Sequence, residues 1–315
     1  MNLPGSSRCR GCLRPVDPWR GFEVPAFVSH DDRRYRWSKC SCGTFTALDF
    51  GVGSSAEQEL YEASYPAYHS KASMLRRFLV KRSWRQRFEK VTLPQSGNLL
   101  DFGCGSGLGL EMFVELFGDR YRCYGADITD MRQDTVRVKT EFILSDDLPS
   151  AARFTFINSS QSIEHVLDPG STLRLLWAKL APGGVMFLDT PNARAGAEDF
   201  PEWGGWHSPY HSCVLSTEAI TDCLLPSLGS DCSVLDISYA PAPFIRLDTT
   251  ARIVRQRLGR NLKIAEAGQL FRSDLAVVSA GAFEMALALT GRPLGNIAVT
   301  LQKKSLPDAS VIGPP

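Results

Sequence analysis

No run of roughly 18 apolar residues occurs in the 315-residue chain, so no membrane-spanning helix is expected. The opening residues, Met1-Asn2-Leu3-Pro4-Gly5, lack the apolar core that directs secretion. A charge excess is missing as well. Lys and Arg total 35 against 34 Asp and Glu, which removes any global pull toward nucleic acid or a charged membrane. No segment resembles a recognised RNA-binding signature. The nine cysteines, an odd number in a long chain without a leader, argue for reduced thiols rather than a disulfide framework. A cytoplasmic location is the expectation.

What is present is uneven. The length suits one large domain with an appendage. Residues 1–90 carry 16 Lys/Arg against 9 Asp/Glu, about +7, and the remainder is about −6. Between Lys71 and Lys90 there are eight Lys/Arg and one Glu, with Leu75, Phe78, Leu79, Trp84 and Phe88 near helical spacing. That pattern predicts an amphipathic helix with a basic solvent face; the alternative is a surface for phosphates, on RNA or on a nucleotide-linked substrate.

Four cysteines cluster early, as Cys9-x-x-Cys12 and Cys40-Ser41-Cys42-Gly43. Paired thiols of this kind suggest a tetrahedral structural zinc site with no open position. The second pair is one residue shorter than the usual Cys-x-x-Cys. His30 could substitute for a thiolate, and a remnant without metal is the competing reading.

The most informative stretch is Leu99-Leu100-Asp101-Phe102-Gly103-Cys104-Gly105-Ser106-Gly107, which reads as a buried strand, a tight turn and then a helix from Leu108. Glycine serves where the backbone takes positive φ or a ligand comes close, so three alternating glycines describe a loop pressed against a ligand. A second strand, Tyr121 to Ile128, ends in Asp127, twenty positions after Gly107. An acid there is placed to hold a ribose diol.

These motifs resemble the class I S-adenosyl-L-methionine-dependent methyltransferases. The resemblance implies an α/β fold, a Rossmann-like seven-stranded, mostly parallel sheet with helices on both faces, preceded by a small cysteine-knuckle segment. It implies S-adenosyl-L-methionine as cofactor, with Asp101, Gly103, Gly105 and Gly107 around its amino acid part, Asp127 on the ribose, and Asp146 or Asp147 on the adenine amino group.

Further matches extend it. Glu164-His165-Val166-Leu167-Asp168-Pro169 resembles ubiquinone-biosynthesis and sugar-modifying methyltransferases, and Ala181-Pro182-Gly183-Gly184 with Val185 to Asp189 resembles the family's turn and fifth strand. Thr155 stands where the family has Asp. Gln161 replaces a carboxylate that relatives acting on catechol-like rings use for a divalent metal, so no catalytic metal is expected. His165 and His211, the latter in the loop Trp203 to His211, are the candidate catalytic bases. Many methyltransferases of small molecules and sugars carry a similar cysteine knuckle followed by a tyrosine-rich segment, here Leu60 to Tyr68.

The expected organisation is a knuckle at 1–50, a helical connector lining the substrate mouth at 51–96, a methyltransferase domain at 97–304 with a helical lid inserted near 241–293, and a disordered tail at 305–315. The expected activity is methyl transfer to a small molecule or sugar, O-directed. An RNA methyltransferase using the basic N-terminal third and a scaffold without catalysis are the alternatives. The oligomeric state and the acceptor are not legible.

Overall fold

The computed structural model describes residues 8–26, 33–49, 74–197, 200–258 and 274–305. His30, the tyrosine-rich segment 60–68 and the tail after Ser305 lie outside the described residues. In chain order the strands are β1 (Phe22–Pro25), β2 (Arg34–Lys39), β3 (Phe45–Ala47), β4 (Gly97–Phe102), β5 (Tyr121–Asp127), β6 (Glu141–Leu144), β7 (Phe154–Ser160), β8 (Leu180–Pro191), β9 (Cys213–Val214), β10 (Cys232–Ala240) and β11 (Asn296–Lys303). The α-helices are α1 (Met74–Phe88), α2 (Leu108–Phe117), α3 (Asp134–Arg137), α4 (Pro169–Lys179), α5 (Thr217–Ala219), α6 (Pro243–Leu258) and α7 (Asp274–Ala288).

Seven strands form one sheet in the order β10-β11-β8-β7-β4-β5-β6. Strands β8, β7, β4, β5 and β6 run parallel, and β11 enters antiparallel between β8 and β10. The expected doubly covered, mostly parallel sheet is what forms, because its central strands are apolar on both faces. Leu99, Phe156 and Phe187 point to the side covered by α2 and by Trp84 and Phe88 of α1. Leu100, Ile157 and Met186 point to the other, against Leu173, Leu176 and Trp177 of α4 and Ile220 and Leu224 beyond α5. The turn expected at Ala181–Gly184 lies inside β8, where it bulges out of the ladder: Phe154 pairs with Leu180, yet Phe156 pairs with Val185.

The basic face of α1 is not simply solvated. Arg77 bonds Glu111 and Glu115 of α2, Lys81 bonds Glu115, and Arg87 reaches Asp189 at the end of β8. Three of its cations are therefore spent on carboxylates of the same chain.

A second sheet, β1-β2-β3-β9, is antiparallel. Its last strand comes from the loop after β8, so the N-terminal segment is built into the larger body through Phe45↔Val214 and Thr46↔Cys213. Trp206 sits at its centre, with ring centroids 5.1 Å from Phe22, 5.3 Å from Trp37 and 4.8 Å from Phe45. The described part of the inserted region is helical, as α6 and α7, and Pro243 is a suitable first residue for α6. No helix among the described residues is long and apolar enough to cross a membrane.

Candidate active site

At the carboxyl end of β4 the chain turns through Gly103, Gly105 and Gly107, with φ of 72°, 49° and 81°. A side chain is excluded at Gly103 also by space, because a Cβ there would lie 2.4 Å from Cβ of Ser162, in the loop after β7. The glycine loop and the β7 loop thus touch. Asp127 fixes the loop from the neighbouring strand: its carboxylate accepts from the Gly105 amide at 2.9 Å and from the Ile128 amide at 2.8 Å.

Asp101 is buried, and one of its oxygens accepts from the Asn158 amide group at 2.7 Å. Its other oxygen lies 2.5 Å from where a Cβ on Gly109 would stand, so a side chain at that position would push the carboxylate aside. Burial, reinforced by the negative charge of Asp127 and opposed by Asn158, pushes the Asp101 carboxyl up to about 7. Asp127 is raised by burial too, against the pull of its two amide donors. Two buried acids at the ends of adjacent parallel strands favour a cation beside them.

Asp146 and Asp147 lie in the 3₁₀ turn Ser145–Ser150 after β6, both exposed. Apolar surface accompanies them: Ile128 and Leu144, at the ends of the paired strands β5 and β6, are 53% and 47% exposed. The loop after β5 is braced by Arg132, whose guanidinium bonds both oxygens of Asp130 and the carbonyl and hydroxyl of Thr140.

Beyond Ser162 the β7 loop delivers Glu164 and His165 to the Trp203–His211 loop. His165 and His211 have ring centroids 4.6 Å apart, and His207 lies 4.8 Å from His211. His165 Nδ1 is 3.1 Å from the Tyr210 carbonyl and His211 Nδ1 is 2.9 Å from the Gly205 carbonyl. A carbonyl only accepts, so each Nδ1 carries the proton and each Nε2 keeps its lone pair. Burial lowers His165 to about 4, against its bond to the Tyr210 carbonyl, and holds His207 and His211 well below the ordinary value. All three are neutral near pH 7.

Glu164 completes the group. It is fully buried, with Oε2 accepting from the Thr190 hydroxyl at 3.1 Å and Oε1 without a hydrogen bond among the described residues, and burial pushes its carboxyl up to about 8. The ligating atoms of Glu164, His165 and His211 all lie within 4.8 Å of one another. Such a set can accept or relay a proton, and it has the donor chemistry for a divalent cation. Motif reading named His165 and His211, with His207 paired to His211 in the tryptophan loop, and gave no role to Glu164. The acid next to His165 was the available signal.

The four N-terminal cysteines converge. Cys9 and Cys42 sulfurs are 3.6 Å apart, Cys12 and Cys40 3.5 Å. A tetrahedron with zinc–sulfur bonds of about 2.3 Å has edges of about 3.8 Å, so the thiols fit the metal despite the short second pair. The tight turn Cys40–Gly43, closed by the Gly43 amide on the Cys40 carbonyl, brings Cys40 and Cys42 to one side.

With this geometry in place, the comparisons with known proteins converge on one group. Residues 75–225 match the family described as methyltransferase domain. That stretch of the chain therefore matches a methyltransferase domain. The chain is similar to the ubiquinone biosynthesis O-methyltransferase of Cereibacter sphaeroides, 32% identical over 130 residues, covering 35% of this chain and 51% of the relative. It is 30% identical over 136 residues to the protein of that name from Caulobacter vibrioides, covering 38% of this chain and 51% of the relative. The chain therefore spans about half the length of these relatives. Among solved structures, a SAM dependent methyltransferase from Archaeoglobus fulgidus superposes with a TM-score of 0.45 at 18% identity, over 72% of this chain and 94% of that one.

Proposed function

We propose that the protein transfers a methyl group from S-adenosyl-L-methionine to a small-molecule or sugar acceptor, most simply to an oxygen. The observation that carries the reading is the pair of buried acids, Asp101 and Asp127, closing a glycine loop that touches the loop bearing Glu164 and His165. Asp101 would pair with the cofactor's ammonium and Asp127 would accept from the ribose hydroxyls. The exposed Ile128 and Leu144 would flank the adenine, with Asp146 or Asp147 at its amino group.

The sulfonium supplies an already activated methyl, so the protein's part is mainly alignment of the nucleophile. Where that nucleophile is a hydroxyl, His165 or His211 takes its proton at Nε2. The neutral state of both rings suits that role, and the raised carboxyl of Glu164 can hold a proton beside them.

The names of the relatives support an oxygen acceptor. The internal pairing of Arg77, Lys81 and Arg87 takes away much of the basic surface on which an RNA substrate would depend. Zinc in the Cys9, Cys12, Cys40 and Cys42 cluster is a structural element in this reading. A cytoplasmic location is consistent with nine cysteines of which none forms a disulfide.

The test is calorimetric titration with S-adenosyl-L-homocysteine, followed by turnover of labelled S-adenosyl-L-methionine over a panel of phenolic and sugar acceptors. Absence of binding by the native chain sinks the proposal.

A further inference from the structure

The loop that carries His207 and His211 is held from two sides, and one of them is the cysteine cluster. On the side of the larger sheet, the Ser212 amide donates to the Glu164 carbonyl at 2.7 Å and its hydroxyl to the Val166 carbonyl at 2.5 Å. On the other side, the Trp37 indole donates to the Ser208 hydroxyl at 2.9 Å and the Ala47 amide donates to the Ser212 carbonyl at 3.0 Å. β3 pairs with β9 just beyond. The ladder ends at Ser216, whose hydroxyl donates to the carbonyl of Cys42 itself and whose amide donates to the Thr44 hydroxyl.

The histidine loop needs such restraint. His207 sits at φ 40°, a region that a residue with a Cβ occupies only when its surroundings impose it. The strands that supply this restraint, β2 and β3, are joined by the Cys40–Gly43 turn, whose thiols pack with Cys9, Val16 and Ala219. Metal-free thiols are weak hydrogen-bond partners, so they tie the turn poorly. A bound zinc would join it covalently to Cys9 and Cys12.

We infer that the cysteine cluster is a metal-dependent latch on the histidine loop: zinc fixes the Cys40–Gly43 turn, and the turn, through Ser216, Thr44 and Trp37, holds residues 203–216 against the loop after β7. The inference rests on the zinc reading above. It separates two halves of the site. The cofactor half, built on β4 and β5, makes no hydrogen bond to the cluster among the described residues, whereas the acceptor half does.

The experiment uses the full chain, loaded with zinc and then stripped with EDTA under reducing conditions, with zinc content measured in both states. Amide hydrogen exchange is followed over 203–216 and, as an internal reference, over 99–110, together with S-adenosyl-L-homocysteine affinity. Stripping is expected to speed exchange over 203–216 by about tenfold or more, leaving 99–110 and the affinity within about twofold, and added zinc restores the slow exchange. Trp37→Phe, which keeps the ring and removes the donor to Ser208, is expected to speed exchange in the same segment by about threefold with zinc content unchanged.

Unchanged exchange over 203–216 after zinc has left overturns the latch. So does a parallel loss of protection at 99–110 and of cofactor affinity, which would make the metal a support of the whole fold. A purified chain that takes up no zinc overturns the zinc reading along with the latch, and the metal analysis identifies that case.

Discussion

Replacing Asp101 by Asn keeps the shape of the side chain and removes its charge, with opposite effects on binding and on stability. In the free protein the carboxyl is pushed from 3.8 up to about 7, chiefly by burial. A carboxyl raised on folding makes the native state hold its proton longer than the unfolded chain, so stability falls as pH rises above 3.8 and the loss is complete above about 7. The size of that loss is about 4 kcal/mol, an upper figure for so buried a group. Asp101→Asn therefore raises the unfolding free energy of the unliganded protein at pH 8.

Binding moves the other way. A cationic ligand selects the ionised carboxylate, so affinity is at its plateau above pH 8 and about tenfold weaker at pH 6, where roughly one molecule in ten is ionised. Removing the charge should lower affinity at pH 8 by about 1.5–3 kcal/mol and flatten the pH dependence. Calorimetry with S-adenosyl-L-homocysteine from pH 6 to 8.5, alongside urea melts of both proteins without ligand, measures all three quantities. A native affinity that is flat across this range, or a variant that binds as tightly as its parent at pH 8, refutes the assignment of Asp101 to the ammonium.

Other changes probe different parts. Asp127→Ala leaves the Gly105 and Ile128 amides without their acceptor and is expected to weaken S-adenosyl-L-homocysteine by at least about 1–3 kcal/mol, measured in the same titration. Glu164→Gln should abolish a decline in stability that the native protein shows as pH rises from 4.5 through about 8, seen by comparing denaturant midpoints at pH 6 and 9. His165, lowered to about 4, should show no imidazole titration between pH 6 and 8 by NMR, and a midpoint near 6.5 would disprove its burial. Cys40→Ala should release zinc to a chromogenic chelator at concentrations the parent withstands, with a lower melting temperature.

The sheet was legible because its signals are local. Asp101, the three glycines and Asp127 each follow an apolar run, and strand ends in a parallel sheet must come together at one edge. The knuckle was half legible. Its spacing said four thiols, but that a Cys-x-Cys pair can reach one metal depended on the Cys40–Gly43 turn, a tertiary detail. What escaped was non-local. Nothing in the residues around Cys213 announces that they complete an N-terminal sheet, since a two-residue strand has no period to detect. Glu164 stood beside His165 in a motif that was read, but its full burial is a property of the surroundings. Gly109 was likewise silent, because only the approach of the Asp101 carboxylate explains it.

The pairing of β3 with β9 also sets a timetable for synthesis. The four cysteines leave the ribosome early, while the strand that closes their sheet follows roughly 170 residues later, a delay of about 10–30 s at ordinary elongation rates. Throughout that interval the first three strands present an open edge and a set of reactive thiols. A metal captured by the nascent chain would shield the thiols while the edge waits for its partner, and the same chain made in zinc-depleted cells would meet oxidants and other nascent chains with both exposed.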